Sequence, residues 1–342
     1  MSIAAGAWVH TPAAPEQTDA LIAELAERGI RRVCAIAKGP SGTTFYPSGL
    51  AYTEKGYEDA AVYGRLVERC RRAGIAVEVW ICTFTEGGRS RFLDEHPECR
   101  GRSAGDSTVR EDCEAFVCPA QERVHEHELA LCREALGRFP GVARLHLDYI
   151  RYPWSNGTVC RCRHCCDEFR RKTGFDLTRD VIEGGDRENP GFEAFVAWRC
   201  EHIRRFVERA RALAKDCGVG LSAAVFPFYP SIMFDLGQDW VEWCRAGLLD
   251  AVYPMTYNSS PLMVGRYTSV HVSLLSGLPV QLCEGLWIRD WMDEARAGHL
   301  VHAALDAGAP GIMFFTGQSL ARLSPGFLPP LTEGPRAEPL HK

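Results

Sequence analysis

The nine residues LHLDYIRYP, positions 145–153, put a histidine, a carboxylate, an arginine and two tyrosines in and just after one strand-like stretch. Side chains along a strand point alternately to opposite faces. Leu145 and Leu147 therefore share one face, and His146 and Asp148 share the other. VEVWIC (77–82) has the same pattern, with Val77, Val79 and Ile81 on one side and Glu78 and Trp80 on the other. Burying a carboxylate is costly unless it is paired or used. A positioned carboxyl group can protonate a leaving oxygen, or attack or activate water; glycoside hydrolysis needs both tasks done. Asp148 is the first candidate. Arg151 and His146 are placed to tune it, because a nearby cation lowers a carboxyl pKa and burial raises it.

The second carboxylate is less marked. Glu284 closes the seventh strand-like segment and ranks first, although its parity with Val280 and Leu282 points it outward unless the strand bends. Glu78 ranks second and lies deeper in its strand. Glu86 and Asp235 fall in loop segments. Either Glu78 or His146 could equally belong to a buried network that only closes the interior.

CRCRHCCDEF (160–169) is the other dense signal. Cys160, Cys162 and Cys165 have a C-x-C-x2-C spacing that suits three ligands of a structural zinc, which takes four. Cys166, Cys113 or Cys118 could supply the fourth; disulfides and unpaired thiols are the alternatives. No cofactor for catalysis is expected. Three further patterns carry little. VHEH sets His125 and His127 two apart on a helix, off a common face. FTGQS lacks a second glycine-rich loop, and GGRSR is a lone basic turn.

These side chains need a scaffold. Strand-like segments at 4–12, 30–38, 75–84, 142–150, 219–227, 248–257, 278–287 and 309–316 are separated in most gaps by helical stretches. Eight such units in 342 residues predict a single-domain α/β fold, the (β/α)8 or TIM barrel, over 1–328, with a loose Pro- and Glu-containing tail over 329–342. An open doubly wound sheet would carry a glycine-rich first turn, which GAWVHTPAAP lacks. Active sites of such barrels lie at the C-terminal ends of the strands. Those ends offer His10, Lys38, Trp80, Glu86, Asp148, Arg151, Tyr152, Phe226, Tyr257, Glu284, Trp287 and Thr316. The aromatic members suit the apolar faces of sugar rings. The substrate-binding set expected is His10, Lys38, Glu78, Trp80, His146, Arg151, Tyr152, Tyr257 and Trp287.

Composition removes other classes. Net charge is −5, so there is no basic footprint for nucleic acid. No apolar run is long enough to span a membrane. The start MSIAAGAWVHTPAA has no basic segment leading into a long apolar core. Eight of the fifteen cysteines (Cys34, Cys70, Cys82, Cys132, Cys200, Cys217, Cys244, Cys283) stand singly in apolar segments. Reduced thiols in a cytoplasmic protein are therefore expected.

LHLDYIRYP, with TTFYPS (43–48), VEVWIC, FVCP (116–119) and VYPMTYN (252–258), resembles the bacterial glycosyl hydrolase-like proteins of the family-10-like group over about residues 5–316. The fourth strand of that group typically reads H-[LF]-D-Y-[IV]-R-[YF]-P. A fainter resemblance links the chain to chitinase-like barrels, through Asp148 and through Met255-Thr256-Tyr257. The resemblance implies a barrel acting on carbohydrate. There are departures: Ile150 stands where chitinases need a glutamate, Glu78 replaces a usual histidine, and Glu284 a usual apolar residue or proline. The expected function is hydrolysis of a glycosidic bond in an oligo- or polysaccharide. The alternatives are a carbohydrate-binding barrel without catalysis, or a metal- or phosphate-dependent lyase or aldolase, in which Lys38 could form a Schiff base.

Overall fold

The alternating strand segments form eight parallel strands. They are β1 (Ala4–Val9), β2 (Arg32–Lys38), β3 (Ala76–Cys82), β4 (Arg144–Asp148), β5 (Gly220–Val225), β6 (Ala251–Pro254), β7 in two pieces (Gln281–Leu282 and Glu284–Trp287) and β8 (Gly311–Phe315). The computed structural model describes residues 4–103, 110–111, 114–154, 159–181 and 189–324. The expected tail from Pro329 lies outside them.

Neighbours in space follow sequence order from β1 to β8, and β8 returns to pair with β1. The first piece of β7 pairs with β6 and the second with β8, and a bridge from Met255 to Gly285 joins the remaining seam. The sheet is therefore closed into the (β/α)8 barrel. Helices α1 (Pro15–Glu27), α2 (Ala61–Arg72), α3 (Glu122–Arg138), α4 (Arg163–Thr173), α5 (Pro190–Asp216), α6 (Trp240–Arg245), α7 (Pro261–Leu274) and α8 (Glu294–Asp306) fill the crossovers. Proline opens α1, α5 and α7, where its missing N–H leaves no hydrogen bond unmade. No helix among the described residues is long and apolar enough to cross a membrane.

Two cores result from strand alternation. Val33, Val79, Leu145, Leu147, Ala223 and Ile312 face the helices. Trp8, Cys34, Ile36, Trp80, Tyr253, Cys283 and Met313 fill the barrel. Gly285 is required at its position: a Cβ would meet the Pro254 carbonyl oxygen at 2.6 Å and the Trp8 ring at 3.2 Å.

The N-terminal end of the barrel is plugged by charge. Glu78 Oε1 lies 3.0 Å from Arg32 Nε and 2.8 Å from Arg144 Nη1. Tyr253 and Ser222 donate to the same carboxylate at 2.8 and 2.6 Å. Burial alone would raise the Glu78 pKa, but the two guanidinium groups outweigh it and hold the carboxyl at about 2. Glu78 points inward as its parity requires, yet every oxygen is committed at the end of the barrel opposite the mouth. Its expected substrate contact is replaced by a structural role.

Candidate active site at the barrel mouth

Asp148 ends β4 and points into the barrel, aligned with Cys82 of β3. Its Oδ2 accepts from Trp80 Nε1 at 3.1 Å and its Oδ1 from the backbone N–H of Tyr149 at 2.7 Å. Burial pushes its pKa from 3.8 up to about 6, against the Tyr149 N–H, the Arg151 charge and the Trp80 N–H. A carboxyl group tuned to about 6 can both hold and release a proton near neutrality.

The chain turns sharply at this point. Tyr149 has φ of 53°, a left-handed conformation uncommon for a residue with a side chain. The alternation of β4 places Tyr149 on the outer face with Leu147. Instead the turn carries its ring into the mouth, 6.1 Å from Phe116 and 4.9 Å from the Arg151 guanidinium. Arg151 also faces Phe116 and Phe226 at 5.4 and 5.0 Å, and donates to the Tyr152 carbonyl. From there its positive charge acts on the Asp148 carboxyl through space.

Aromatic rings line the rest of the mouth. The His10 ring lies edge-on to Trp80 at 5.8 Å, and Tyr257, Trp287 and Phe315 are mutually 5.4–5.7 Å apart. Arg289 stands 3.8 Å above the Trp287 ring. His10, Trp80, Asp148, Arg151, Tyr257 and Trp287 are thus gathered at one end of the barrel, where sequence reasoning places them. Trp8 and Phe315 belong there too, and sequence reasoning omits them. Trp8 shares the inward parity of His10, and Phe315 that of Met313, so the same alternation could have found both.

His146 lies a layer below. Trp8 Nε1 donates to its Nε2 at 2.9 Å, so Nδ1 carries the proton and donates to Ser222 Oγ at 2.9 Å. Ser222 in turn donates to Glu78. Burial lowers the His146 pKa to about 4, which leaves it neutral at pH 7. Both ring nitrogens are used, so His146 supports Trp8 and the plug instead of meeting substrate.

A family model for glycosyl hydrolase-like 10 proteins matches residues 2–280. The chain belongs to this family. No curated protein sequence matches it. Among solved structures it is similar to the glycoside hydrolase domain of PgaB (BpsB) from Bordetella bronchiseptica, at 13% identity and TM-score 0.74, covering 94% of this chain and 96% of that one. The catalytic domain of the β-amylase from Paenibacillus polymyxa follows at 12% identity and TM-score 0.69, with 93% of each chain covered. A β-galactosidase from Bacillus circulans sp. alkalophilus, at 14% identity and TM-score 0.66, covers 92% of this chain and 50% of its own. At these identities the likeness establishes a shared barrel and nothing finer.

Within this glycosyl hydrolase-like barrel, three further expected site residues, besides Glu78 and His146, lie away from the mouth. Glu284 keeps the outward parity of β7 and is fully buried against α7. There His271 Nδ1 sits 3.0 and 3.2 Å from its two oxygens, and Thr256 Oγ1 donates to Oε1. His271 Nε2 faces the Pro227 carbonyl at 2.9 Å and so carries a proton of its own. Glu284 therefore fastens β7 to α7 instead of facing the barrel. Glu284→Gln, which can still accept from Thr256 and donate to His271, is expected to keep turnover within a few-fold of wild type. Glu284→Leu strands both partners and should cost about 3–5 kcal/mol in urea unfolding. Abolished turnover in a stably folded Glu284→Gln would return the residue to the reaction.

Lys38 is fully enclosed, its Nζ between Glu86 and Glu128 at 2.7 and 2.8 Å. A carbonyl substrate has no approach to it, which removes the Schiff-base alternative. Glu86, read from sequence as a loop residue, is buried in the same cluster. Tyr152 lies outside the barrel in the helix-facing core, with the Arg199 guanidinium 4.4 Å above its ring. The proline that follows it and the backbone bond from Tyr152 N–H to the Leu236 carbonyl fix it there, away from substrate.

The cysteine loop gathers as its spacing implies. Cys160, Cys162 and Cys165 converge, and the fourth sulfur beside them is that of Cys118; all four lie within 4.8 Å of one another. Cys166 instead directs its sulfur to the Arg161 carbonyl. Cys113 lies outside the described residues.

Proposed function

We propose that this glycosyl hydrolase-like protein cleaves a glycosidic bond in an oligo- or polysaccharide, with Asp148 as the general acid. One observation carries the reading: a carboxyl group raised to about 6 stands at the end of β4, held by Trp80 and the Tyr149 N–H beneath a rim of aromatic rings. Protonated Asp148 would donate to the leaving glycosidic oxygen, while Trp80, Tyr257 and Trp287 receive the apolar faces of sugar rings. With its pKa raised to about 6, Asp148 keeps a proton to give near neutrality, so the role assigned to it is the acid half of the reaction.

That same observation favours a second reading, a carbohydrate-binding barrel without turnover. A panel of glycans separates the two when reducing ends and thermal shift are read on the same samples. Hydrolysis predicts new reducing ends. It also predicts kcat/KM that falls as pH rises through about 6, because the acid must be protonated to act. Thermal stabilisation by a glycan with no new reducing ends at any pH would leave binding alone.

A further inference from the structure

We propose that Cys118, Cys160, Cys162 and Cys165 bind one zinc ion, which ties the loop after β3 to the loop after β4 behind the mouth. The sulfurs of Cys118 and Cys165 are 3.3 Å apart, those of Cys162 and Cys165 3.5 Å, and those of Cys118 and Cys162 3.7 Å. Zn–S bonds of ~2.3 Å in a tetrahedron set sulfur–sulfur edges of about 3.8 Å, so the four atoms are already close to a zinc coordination shell. Disulfide bonding needs sulfurs at ~2.05 Å, and all four cysteines are free. All four are also buried, which suits a closed structural site without a water position.

The surroundings supply an independent reason. Arg199 is fully buried and forms no ion pair among the described residues; its guanidinium reaches only the carbonyls of Phe234 and Asp235, and its Nε finds no acceptor. It stands over the rings of Tyr152 and Phe195, with Cys200, Asp235 and Cys160 all near enough for charge on them to act on it. Zinc binding displaces four thiol protons and leaves a centre of net charge −2 next to a buried guanidinium. At the sulfurs, the Arg102 N–H points to Cys160 at 3.5 Å, and Cys162 stands at the N-terminus of α4, where negative charge is favoured.

The position explains what the ion would do. Cys118 follows Phe116 by two residues, and Cys160 follows the Arg151 segment in the next loop. Phe116 and Arg151 meet at the mouth, 5.4 Å apart. A zinc bridge between the two loops would hold that contact while leaving Asp148 untouched.

The test uses the full chain, purified without chelator and without a metal-affinity tag. Elemental analysis should return about one zinc per chain. Cobalt exchange should give thiolate-to-cobalt charge transfer with the visible bands of a tetrahedral ion. Cys118→Ser and Cys162→Ser should lose the metal, Cys166→Ser should keep it, and chelation should lower Tm. Because the first two variants risk misfolding, the cobalt spectrum of the unmutated protein stands as the independent readout. Metal-free, folded protein with four titratable thiols at these positions would overturn the proposal, as would stoichiometric iron in place of zinc. Metal retained by Cys118→Ser and lost by Cys166→Ser would overturn the assignment of Cys118.

Discussion

Asp148→Asn is expected to lower turnover on a glycoside by at least ~10²-fold, the usual contribution of a positioned proton donor, while Tm holds or rises. The stability half follows from the sign of the pKa shift. Burial moves the Asp148 pKa from 3.8 to about 6, so folding favours the protonated carboxyl group. The wild type is then penalised progressively as pH rises from 3.8 through about 6, by up to ~3 kcal/mol at neutrality. Asparagine has no charge to bury, but it offers one acceptor oxygen where two N–H groups, from Trp80 and Tyr149, now donate. Losing one of those bonds costs about 1 kcal/mol. The net gain at pH 7 should therefore reach no more than ~2 kcal/mol and vanish below about pH 4, where wild-type Asp148 is itself protonated. Urea unfolding at pH 4 and pH 7, with turnover measured on the same preparations, checks both halves. A variant that unfolds early and, while folded, turns over normally would sink the assignment of Asp148 as the acid.

Asp148 can be read from sequence because its placement depends on local alternation alone. Once Leu145 and Leu147 are assigned to the helices, His146 and Asp148 have only the interior, and strand order sets which end is the mouth. The closed barrel is legible for the same reason: eight apolar segments and short crossovers leave few ways to bury both faces of the sheet. Residues whose roles depend on a distant partner are not legible. Glu284 meets His271, a residue of α7 whose facing is set by helix packing. Glu78 reads as functional because nothing in its own strand neutralises it; Arg32 and Arg144 arrive from β2 and β4. Departures from regular backbone mislead in two further places. Tyr149 leaves the alternation through its left-handed φ. The pairing of β2 with β3 shifts register between Ile36 and Lys38, so parity counted from Ile36 no longer places the lysine. Cys118 is one of three candidate partners for the cysteine loop, and the pairing of β3 with β4, which sets their following loops side by side, brings it within 3.3 Å of Cys165.

Lys38→Met should be severely destabilising, because the lysine it removes is a buried cation between two buried carboxylates. Lys38 Nζ contacts Glu86 at 2.7 Å, Glu128 at 2.8 Å, and the carbonyls of Cys82 and Thr85 each at 3.1 Å. Burial works against the charges of all three side chains. Lys38 and His127 nevertheless hold Glu86 at about 2, while Glu128, facing Glu86 as well, is shifted upward. Methionine keeps the length and apolar stem of lysine, so packing is largely preserved and the loss is electrostatic. Breaking a buried pair by removing one partner costs about 3–5 kcal/mol, and here two carboxylates lose the same cation. The pH dependence distinguishes this from a packing defect, which would cost the same at every pH. In the variant the facing carboxylates repel, their folded pKa values rise above the unfolded ones, and protonation relieves the strain. The deficit relative to wild type should therefore be largest at pH 7 and shrink as pH falls toward 4. Unfolding free energies at pH 5 and pH 7, for Lys38→Met alone and combined with Glu128→Gln, measure this directly. The added Glu128→Gln should recover part of the loss at pH 7 and little at pH 5. A Lys38→Met protein of wild-type stability that no longer binds a glycan would place this lysine in the binding site after all.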